Sequence, residues 1–169
     1  MSCLGVLFAL DEIDSQRLRS FARKERVDFV SEVLEETYFE QSRQWVAELD
    51  KSWDAMHRAL TDGELKFGNE SPLALVILGG EVLYGDYIEE DDYIITYKTP
   101  QMVKTAAQVL ANMEQAAFRR RYFALDEATY GFPVDEQDFE YTWYYLDSSK
   151  DFWLRAAKAN RSVIFTVDQ

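Results

Sequence analysis

Short apolar runs near the two ends of the chain predict β-strands. Leu4–Leu10 is apolar on both faces of a strand, as in the interior of a sheet, and the run ends at Asp11. Ser162–Val167 has the same character, and Tyr93–Tyr97 is a third run of β-branched and aromatic residues. Because each terminal run needs apolar cover on two faces, we expect both to lie in one sheet.

Helical patterns follow the first predicted strand. Asp14 or Ser15 is a suitable N-cap for a helix that begins at Gln16. Apolar residues then form one broad face over Val27–Phe39, which predicts a second helix. The N-terminal part of the chain is therefore expected to place two helices against the sheet.

Two further segments before the middle strand carry helix signals. Leu49–Gly63 has a start signal, with Asp50 as the cap, and a stop signal at its glycine, so it predicts a central helix. A helix is also predicted over Ser71–Gly80, because a serine followed by proline suits its start and a glycine pair suits its end. A buried strand over Leu73–Leu78 is the alternative, since periodicity does not distinguish the two in so short a run.

The C-terminal half of the chain is predominantly helical. Thr99 and Pro100 begin its most regular helix, Tyr130–Pro133 interrupts the chain, and a last helical region runs over Phe139–Asn160. The apolar positions of the regular helix fall at 0, 3, 4, 7, 10 and 14 along it: Val103, Ala106, Ala107, Leu110, Met113 and Ala117. Strands separated by helices predict an α/β fold, a single helix-rich domain over residues 1–169 with a small sheet that includes the N- and C-terminal strands.

The composition is that of a folded chain with a sizeable core. Of 169 residues, 47% are hydrophobic, which argues against disorder, and the length suits one domain. The single cysteine, Cys3, forms no internal disulfide, so we expect a cytoplasmic protein. Apolar runs fall short of the roughly 20 residues of a membrane helix, and we expect no association with a membrane.

The chain is strongly acidic. It carries 31 aspartates and glutamates against 18 lysines and arginines, a formal net charge of −13. Phosphate backbones repel such a chain, so we expect no binding to nucleic acid. The acids are concentrated in Glu81–Asp92 and Ala124–Asp151, which form either a solvated surface or a docking face for a basic protein partner.

The second acidic segment adjoins aromatic residues that suit a protein contact. Consecutive residues of a helix diverge, so the rings of this segment do not all point inward, and exposed tyrosines are typical contact residues. Packing of the rings within the helix layer is the alternative. The predicted binding residues of this face are Asp135, Glu136, Asp138, Tyr141, Tyr144 and Tyr145.

The only histidine, His57, lies on the predicted central helix at the border of its apolar stripe. Trp53 faces the core, and Asp54 precedes His57 by one turn, close enough to orient the imidazole as a general base. Trp53 and His57 would then also bind the ligand. The structural alternative is a solvated Asp54 and a histidine with one hydrogen bond at the edge of the core.

Other kinds of catalytic site are excluded by residue counts. A metal centre needs more ligands than one histidine and one cysteine provide, so we expect neither a metal nor a cofactor. Cys3 lies beside an interior strand, where cysteines pack more often than they react. The sequence also lacks a nucleophile elbow, a phosphate-binding loop and a dinucleotide fingerprint. No residue is firmly assigned as catalytic, and Asp54 and His57 are the only candidates.

Short motifs, each weak alone, follow one another in a specific order along nearly the whole chain. They are Asp50–Asp54 with His57, Pro72–Leu73 with Ile77–Gly80, Tyr97–Pro100, Tyr130–Pro133, and Arg155–Lys158 with Val163–Phe165. In this order they resemble the YfbM-like family of small bacterial proteins of unknown function. The resemblance implies a soluble bacterial protein with one α/β domain, and it brings no catalytic assignment.

These observations favour a binding protein over an enzyme. We expect an uncharacterised binding or regulatory domain that neutralises a basic macromolecular partner, in the manner of an immunity protein. The alternative is a small-molecule binder or hydrolase with a site around Trp53, Asp54 and His57. A cavity beside His57 would favour the alternative, whereas an acidic face with exposed tyrosines would favour the binding protein.

Overall fold

The computed structural model describes residues 3–85 and 93–168, and a five-stranded antiparallel sheet lies at its centre. The strands are β1 (Gly5–Leu10), β2 (Val46–Asp50), β3 (Glu81–Tyr84), β4 (Tyr93–Lys98) and β5 (Ser162–Asp168). Their order across the sheet is β2-β1-β5-β4-β3. The two terminal strands therefore pair at its centre, with Gly5 opposite Val167 and Leu10 opposite Ser162. The prediction that they share one sheet is confirmed.

Helices cover both faces of this sheet. On one face lie α1 (Glu12–Ser20), α2 (Arg23–Phe29) and α3 (Glu35–Gln41), the last two joined by a π-helical turn, Val30–Leu34. On the other face lie α4 (Trp53–Leu60), α5 (Pro100–Ala111), α6 (Gln115–Tyr122), the short α7 (Glu127–Tyr130) and α8 (Glu136–Lys158). The predicted helix-rich α/β fold with a small sheet is confirmed.

The central strands supply side chains to two separate hydrophobic cores. Leu7 of β1 and Phe165 of β5 pack beneath the helices of the α4–α8 face. Phe8 and Ile164, their neighbours in sequence, pack beneath α1–α3. All four side chains are fully buried. Since successive residues of a strand point to opposite faces, a strand with helices on both sides has to be apolar at nearly every position.

The strongest helix signals in the C-terminal half act as expected. The Thr99 side chain caps α5 by accepting a hydrogen bond from the Met102 amide, and the proline that follows occupies the first turn. Gly131 ends α7 in the left-handed conformation, with φ of +83°. The regular helix, predicted to continue to Ala117, is divided in two. The first part, α5, ends at Ala111, and Ala117 belongs to α6.

The first helix begins one turn earlier than predicted. Asp11, rather than Asp14 or Ser15, is the N-cap, and its carboxylate accepts a hydrogen bond from the Asp14 amide. The Asp14 carboxylate instead accepts a hydrogen bond from the Tyr38 hydroxyl at 3.0 Å. The predicted start at Gln16 is wrong because a tertiary contact engages the side chain that was expected to cap the helix.

The central helix α4 is shorter than predicted because the residues before it form β2. Asp50 is not a helix cap: it ends the strand in a left-handed conformation with φ of +50°, and Ser52 is the N-cap residue of α4. Leu49 reaches the core from the strand and not from the helix. Pairing with β1, which places Gly5 opposite Asp50, therefore outweighs the local helix signal.

The segment Ser71–Gly80 forms neither the predicted helix nor the alternative strand. Its regular part is one 3₁₀ turn, Ala74–Val76. Every side chain from Ala74 to Leu78 is buried, so the segment has no face for solvent as a surface helix would. The Gly79 amide donates a hydrogen bond to the Ala74 carbonyl, and the Gly80 amide donates one to the Asn69 carbonyl. Tertiary burial thus overrides the helix-end signals.

The prediction that Trp53 packs in the main core is confirmed. The residue is 4% exposed, its ring centroid lies 5.5 Å from that of Phe165, and its Nε1 donates to the Cys3 carbonyl at 3.0 Å. We expect Trp53→Ala to lower the free energy of unfolding by about 3–5 kcal/mol in a denaturant titration. Leu154→Ala, at a side chain 46% exposed on α8, is the control and should cost about 0.5 kcal/mol or less. A cost below about 1 kcal/mol at Trp53 would contradict this account.

Candidate functional site

The pair of Asp54 and His57 that the sequence suggested as an acid–base site does not form. His57 is only 1% exposed, and its Nδ1 accepts a hydrogen bond from the Leu78 amide at 3.5 Å. The Asp54 carboxylate instead accepts a hydrogen bond from Nε of Arg58, one turn further along α4, at 2.6 Å. His57 therefore has a packing role beside Leu78, which agrees with the structural alternative. The other part of that alternative, a solvated Asp54, is wrong because Arg58 engages the carboxylate.

A second basic side chain is buried beside His57. The Lys98 Nζ donates to the Ile77 carbonyl and to the Thr96 hydroxyl, and burial holds the pKa of Lys98 well below its ordinary value. Burial, followed by the proximity of Lys98, lowers the pKa of His57 to about 4. His57 thus favours its neutral form at pH 7. The two side chains fix the buried segment Ile77–Gly80 to the sheet and to α4.

The described residues contain neither a metal-binding cluster nor a membrane-spanning helix. Among residues 3–85 and 93–168, no three His, Cys, Asp or Glu side chains are grouped in a way that could hold a metal ion. No helix in those ranges is both long and apolar enough to span a membrane. Most of the acidic segment Glu81–Asp92 falls at 86–92, outside the described residues.

The acidic residues predicted as a docking face at the start of α8 stabilise the fold. Asp135 caps α8 by accepting a hydrogen bond from the Asp138 amide at 2.9 Å. Glu136 forms a two-pronged ion pair with Arg119, with both N–O distances 2.5 Å. The Asp138 carboxylate accepts hydrogen bonds from two buried tyrosines, one of them Tyr122 at 2.5 Å. The structure places these three acids in contacts within the chain.

A groove of about 740 Å³ lies farther along α8. Its walls include residues of α3 and α8, which cover opposite faces of the sheet, and of the strand ends between them. Tyr144 and Tyr145, both predicted as binding residues, line it. Glu136 and Tyr145 lie about 13 Å apart along the helix axis, since each residue adds about 1.5 Å. The predicted tyrosines and the predicted acids therefore belong to different parts of α8.

Carboxylates dominate the charge of this groove. Among its described lining residues, Arg155 is the basic side chain, and its Nε donates to the Gln44 carbonyl at 2.9 Å. The acidic lining residues are Glu35, Glu48, Asp50, Asp151 and Asp168. Glu48 is also paired with Arg43. We refer to this cavity, with its acids and tyrosines, as the acidic groove.

The tyrosines of α8 join one side of the acidic groove to the end of β2. The rings of Tyr141 and Tyr144 each lie 5.2 Å from the ring of Tyr145. The Tyr145 hydroxyl donates to the Asp50 carboxylate at 3.3 Å, and the Tyr141 hydroxyl accepts a hydrogen bond from the Lys51 amide at 3.1 Å. Tyr144 remains 65% exposed, so its ring is available for contact.

Glu35 on α3 has a different environment from the other acids of the groove. It accepts a hydrogen bond from the Tyr93 hydroxyl at 2.9 Å. Burial raises the pKa of Glu35, the Tyr93 hydrogen bond opposes that rise, and the nearby Asp168 carboxylate adds to it. A cation bound beside Asp168 and Glu35 would favour the ionised form of Glu35.

The acids of the groove were missed by sequence reasoning, in part because it did not predict β2, which carries Glu48 and Asp50. Once β2 is known, a signal exists: Asp50 and Asp168 end strands that both run antiparallel to β1. Asp50 and Val167, the residue before Asp168, both pair with Gly5 at the start of β1, which places the two acids at the same end of the sheet. An acid at the end of a predicted apolar strand is thus a signal for one side of the acidic groove. Glu35 and Asp151 come from separate helices, and only the packed fold brings them together.

The depressed pKa of His57 makes stability depend on pH. The unfolded chain binds a proton at the ordinary pKa of 6.5, whereas the folded chain binds it only near 4, so acid favours unfolding over that interval. From pH 7 to pH 5 we expect the wild type to lose about 2 kcal/mol more unfolding free energy than His57→Asn, which keeps an acceptor for Leu78. Denaturant titrations of both proteins at the two pH values measure this. Equal losses would show that His57 titrates normally.

The comparisons with known proteins agree with this fold. The family model described as Domain of unknown function (DUF1877) matches residues 1–166. A solved structure similar to this chain is YfbM from Escherichia coli, a protein of unknown function, with a TM-score of 0.63 and 16% sequence identity over 97% of this chain and 99% of that chain. A search of curated proteins finds no match. The resemblance stated from the motifs is confirmed: the chain belongs to the DUF1877 family, which is YfbM-like and of unknown function.

Proposed function

We propose that the acidic groove binds a basic segment of another protein, and that this chain is a cytoplasmic, immunity-like or regulatory domain of a bacterium. The observation that carries the proposal is the groove itself, in which carboxylates from two helices and two strand ends surround one cavity. The bacterial source is supported by the similarity to the Escherichia coli protein.

The charge of the groove favours a cationic partner over other ligands. Five carboxylates face one guanidinium among its described lining residues, in a chain whose net charge is −13. A cleft lined by charge of one sign concentrates the field and speeds the encounter with a partner of opposite sign. Nucleic acids and other anions are repelled by the same field.

The tyrosines favour a protein segment as the bound cation. Tyr144 presents an exposed ring in the groove that Asp151 also lines, and the ring of Tyr145 continues that surface. An aromatic face attracts the ammonium or guanidinium group of a lysine or arginine side chain, and the flanking carboxylates pair with the charge. Tyrosine is also enriched at the energetic centres of protein interfaces.

The alternative site around Trp53, Asp54 and His57 has less support. Trp53 and His57 are buried in the core, and Asp54 is held by Arg58. None of the three residues lines the acidic groove. A ligand would therefore have to open the core to reach them, which makes a small-molecule or hydrolytic site there the weaker proposal.

Removing charge from the groove should weaken the binding of a basic peptide. The probe is a fluorescent synthetic peptide of alternating lysine and valine, titrated by anisotropy. The groove variant carries Asp50→Asn, Asp151→Asn and Asp168→Asn. We expect its affinity to fall about tenfold, because three charge contacts at the protein surface, of about 0.5 kcal/mol each, total about 1.5 kcal/mol.

The matched control removes the same number of charges elsewhere. The control residues are exposed and lie outside the groove: Glu70, Glu114 and Glu140. Their replacement by glutamine should preserve most of the affinity for the peptide. The wild-type affinity should also fall between about 0.01 M and about 1 M salt, as the screening length decreases from about 30 Å to about 3 Å. Equal affinity for both triple variants, or no binding by the wild type, would refute the proposed function.

A further inference from the structure

One strand of the acidic groove is also an edge of the sheet. β2 pairs with β1 on one side, and no strand of the described part of the chain pairs with its other side. Val46, Ala47, Glu48 and Asp50 of this strand line the groove. Edge strands present backbone N–H and C=O groups that can pair with a further strand. The groove therefore combines acidic side chains with a strand edge.

The opposite edge of the sheet is engaged by side chains of the chain itself. Arg26 of α2 donates to the Leu83 carbonyl of β3 at 3.1 Å. Arg19 of α1 forms an ion pair with Glu81 of the same strand at 2.6 Å. β2 has contacts of the same kinds, because Arg43 forms an ion pair with Glu48 and the Ser52 hydroxyl donates to the Leu49 carbonyl. The edges differ in that β2 lines the acidic groove and β3 does not, so β3 serves as an internal comparison.

We propose that β2 pairs with an extended basic segment of the partner protein, which adds a sixth strand to the sheet within the acidic groove. This inference rests on the proposed function and specifies how the partner is held. Main-chain hydrogen bonds would supply affinity, and the side chains of the added strand would supply specificity.

The positions of the acids fit the side-chain alternation of such a strand. Residues of β2 alternate between the two faces: Val46 packs with the α3 core, and Ala47 with the α8 core. Successive side chains of an added strand would alternate in the same way. One set would lie on the α3 side with Glu48, and the other on the α8 side, where Asp151 and the tyrosines line the groove. Asp168 ends β5, two strands farther into the sheet.

Charge distinguishes a basic partner from a second copy of this chain. If two β2 strands paired with each other, Glu48 and Asp50 of each would lie near the same acids of the other. Like charges on neighbouring strands are destabilising. Acidic residues on an edge strand thus oppose self-association, and they complement lysine or arginine on an added strand.

The test compares two peptides with the same lysine and valine sequence. One has an ordinary backbone, and the other is N-methylated at every central residue, which keeps the charges and removes the amide hydrogens. We expect the methylated peptide to bind the wild-type protein at least about tenfold more weakly. We also expect the ordinary peptide to slow hydrogen exchange in Val46–Asp50 and to leave Glu81–Tyr84 unchanged.

The possible outcomes separate this inference from the proposed function. Equal affinities of the two peptides, both weakened by salt and by the groove variant, would reject strand pairing while the acidic groove still binds cations. Failure of both peptides to bind would reject the two proposals together. A concentration-dependent dimer that protects Val46–Asp50 without peptide would assign this edge to a second copy and overturn the inference.

Discussion

The pairing of β1 with β5 is the contact on which the rest of the structure depends. It joins the two ends of the described chain, Gly5 opposite Val167, in the middle of a sheet covered by helices on both faces. Each of these strands therefore supplies apolar side chains to two cores. The same arrangement places the start of β1, the end of β2 and the end of β5 together. That end of the sheet forms the acidic groove between α3 and α8.

The acids of the chain have two different roles, which sequence position alone does not distinguish. At the start of α8, Asp135, Glu136 and Asp138 cap the helix, pair with an arginine and accept tyrosine hydroxyl groups. Farther along, Asp151 lines a cavity together with acids from other elements. The first group lies outside the cavity, whereas the second lines a space that a partner can enter. Three acids of the second group also have contacts within the chain: Glu35, Glu48 and Asp50. Net charge describes both groups equally, and only their positions in the fold separate them.

The parts of the fold that the sequence predicts are those with strong local signals. β1, β4 and β5 are apolar runs, α5 has the cap Thr99, and α7 ends at Gly131. The errors occur where long-range contacts prevail: Asp50 ends a strand because β1 pairs with it, and Ala74–Leu78 is buried on all sides. The tyrosines of the site were predicted from their surroundings on one helix. Its acids were not, because they come from elements that only the folded chain brings together.

The most direct test of the central claim is to map the peptide contact on the protein by backbone amide chemical shifts. Titration of the isotopically labelled protein with the lysine and valine peptide should shift amides of β2 and of α8 around Tyr144 and Asp151. Shifts confined to the start of α8, around Asp135 and Asp138, would place the partner on the other acidic surface. Shifts centred on His57 and its neighbours in the core would favour the small-molecule alternative. Either result would contradict the assignment of the acidic groove as the binding site.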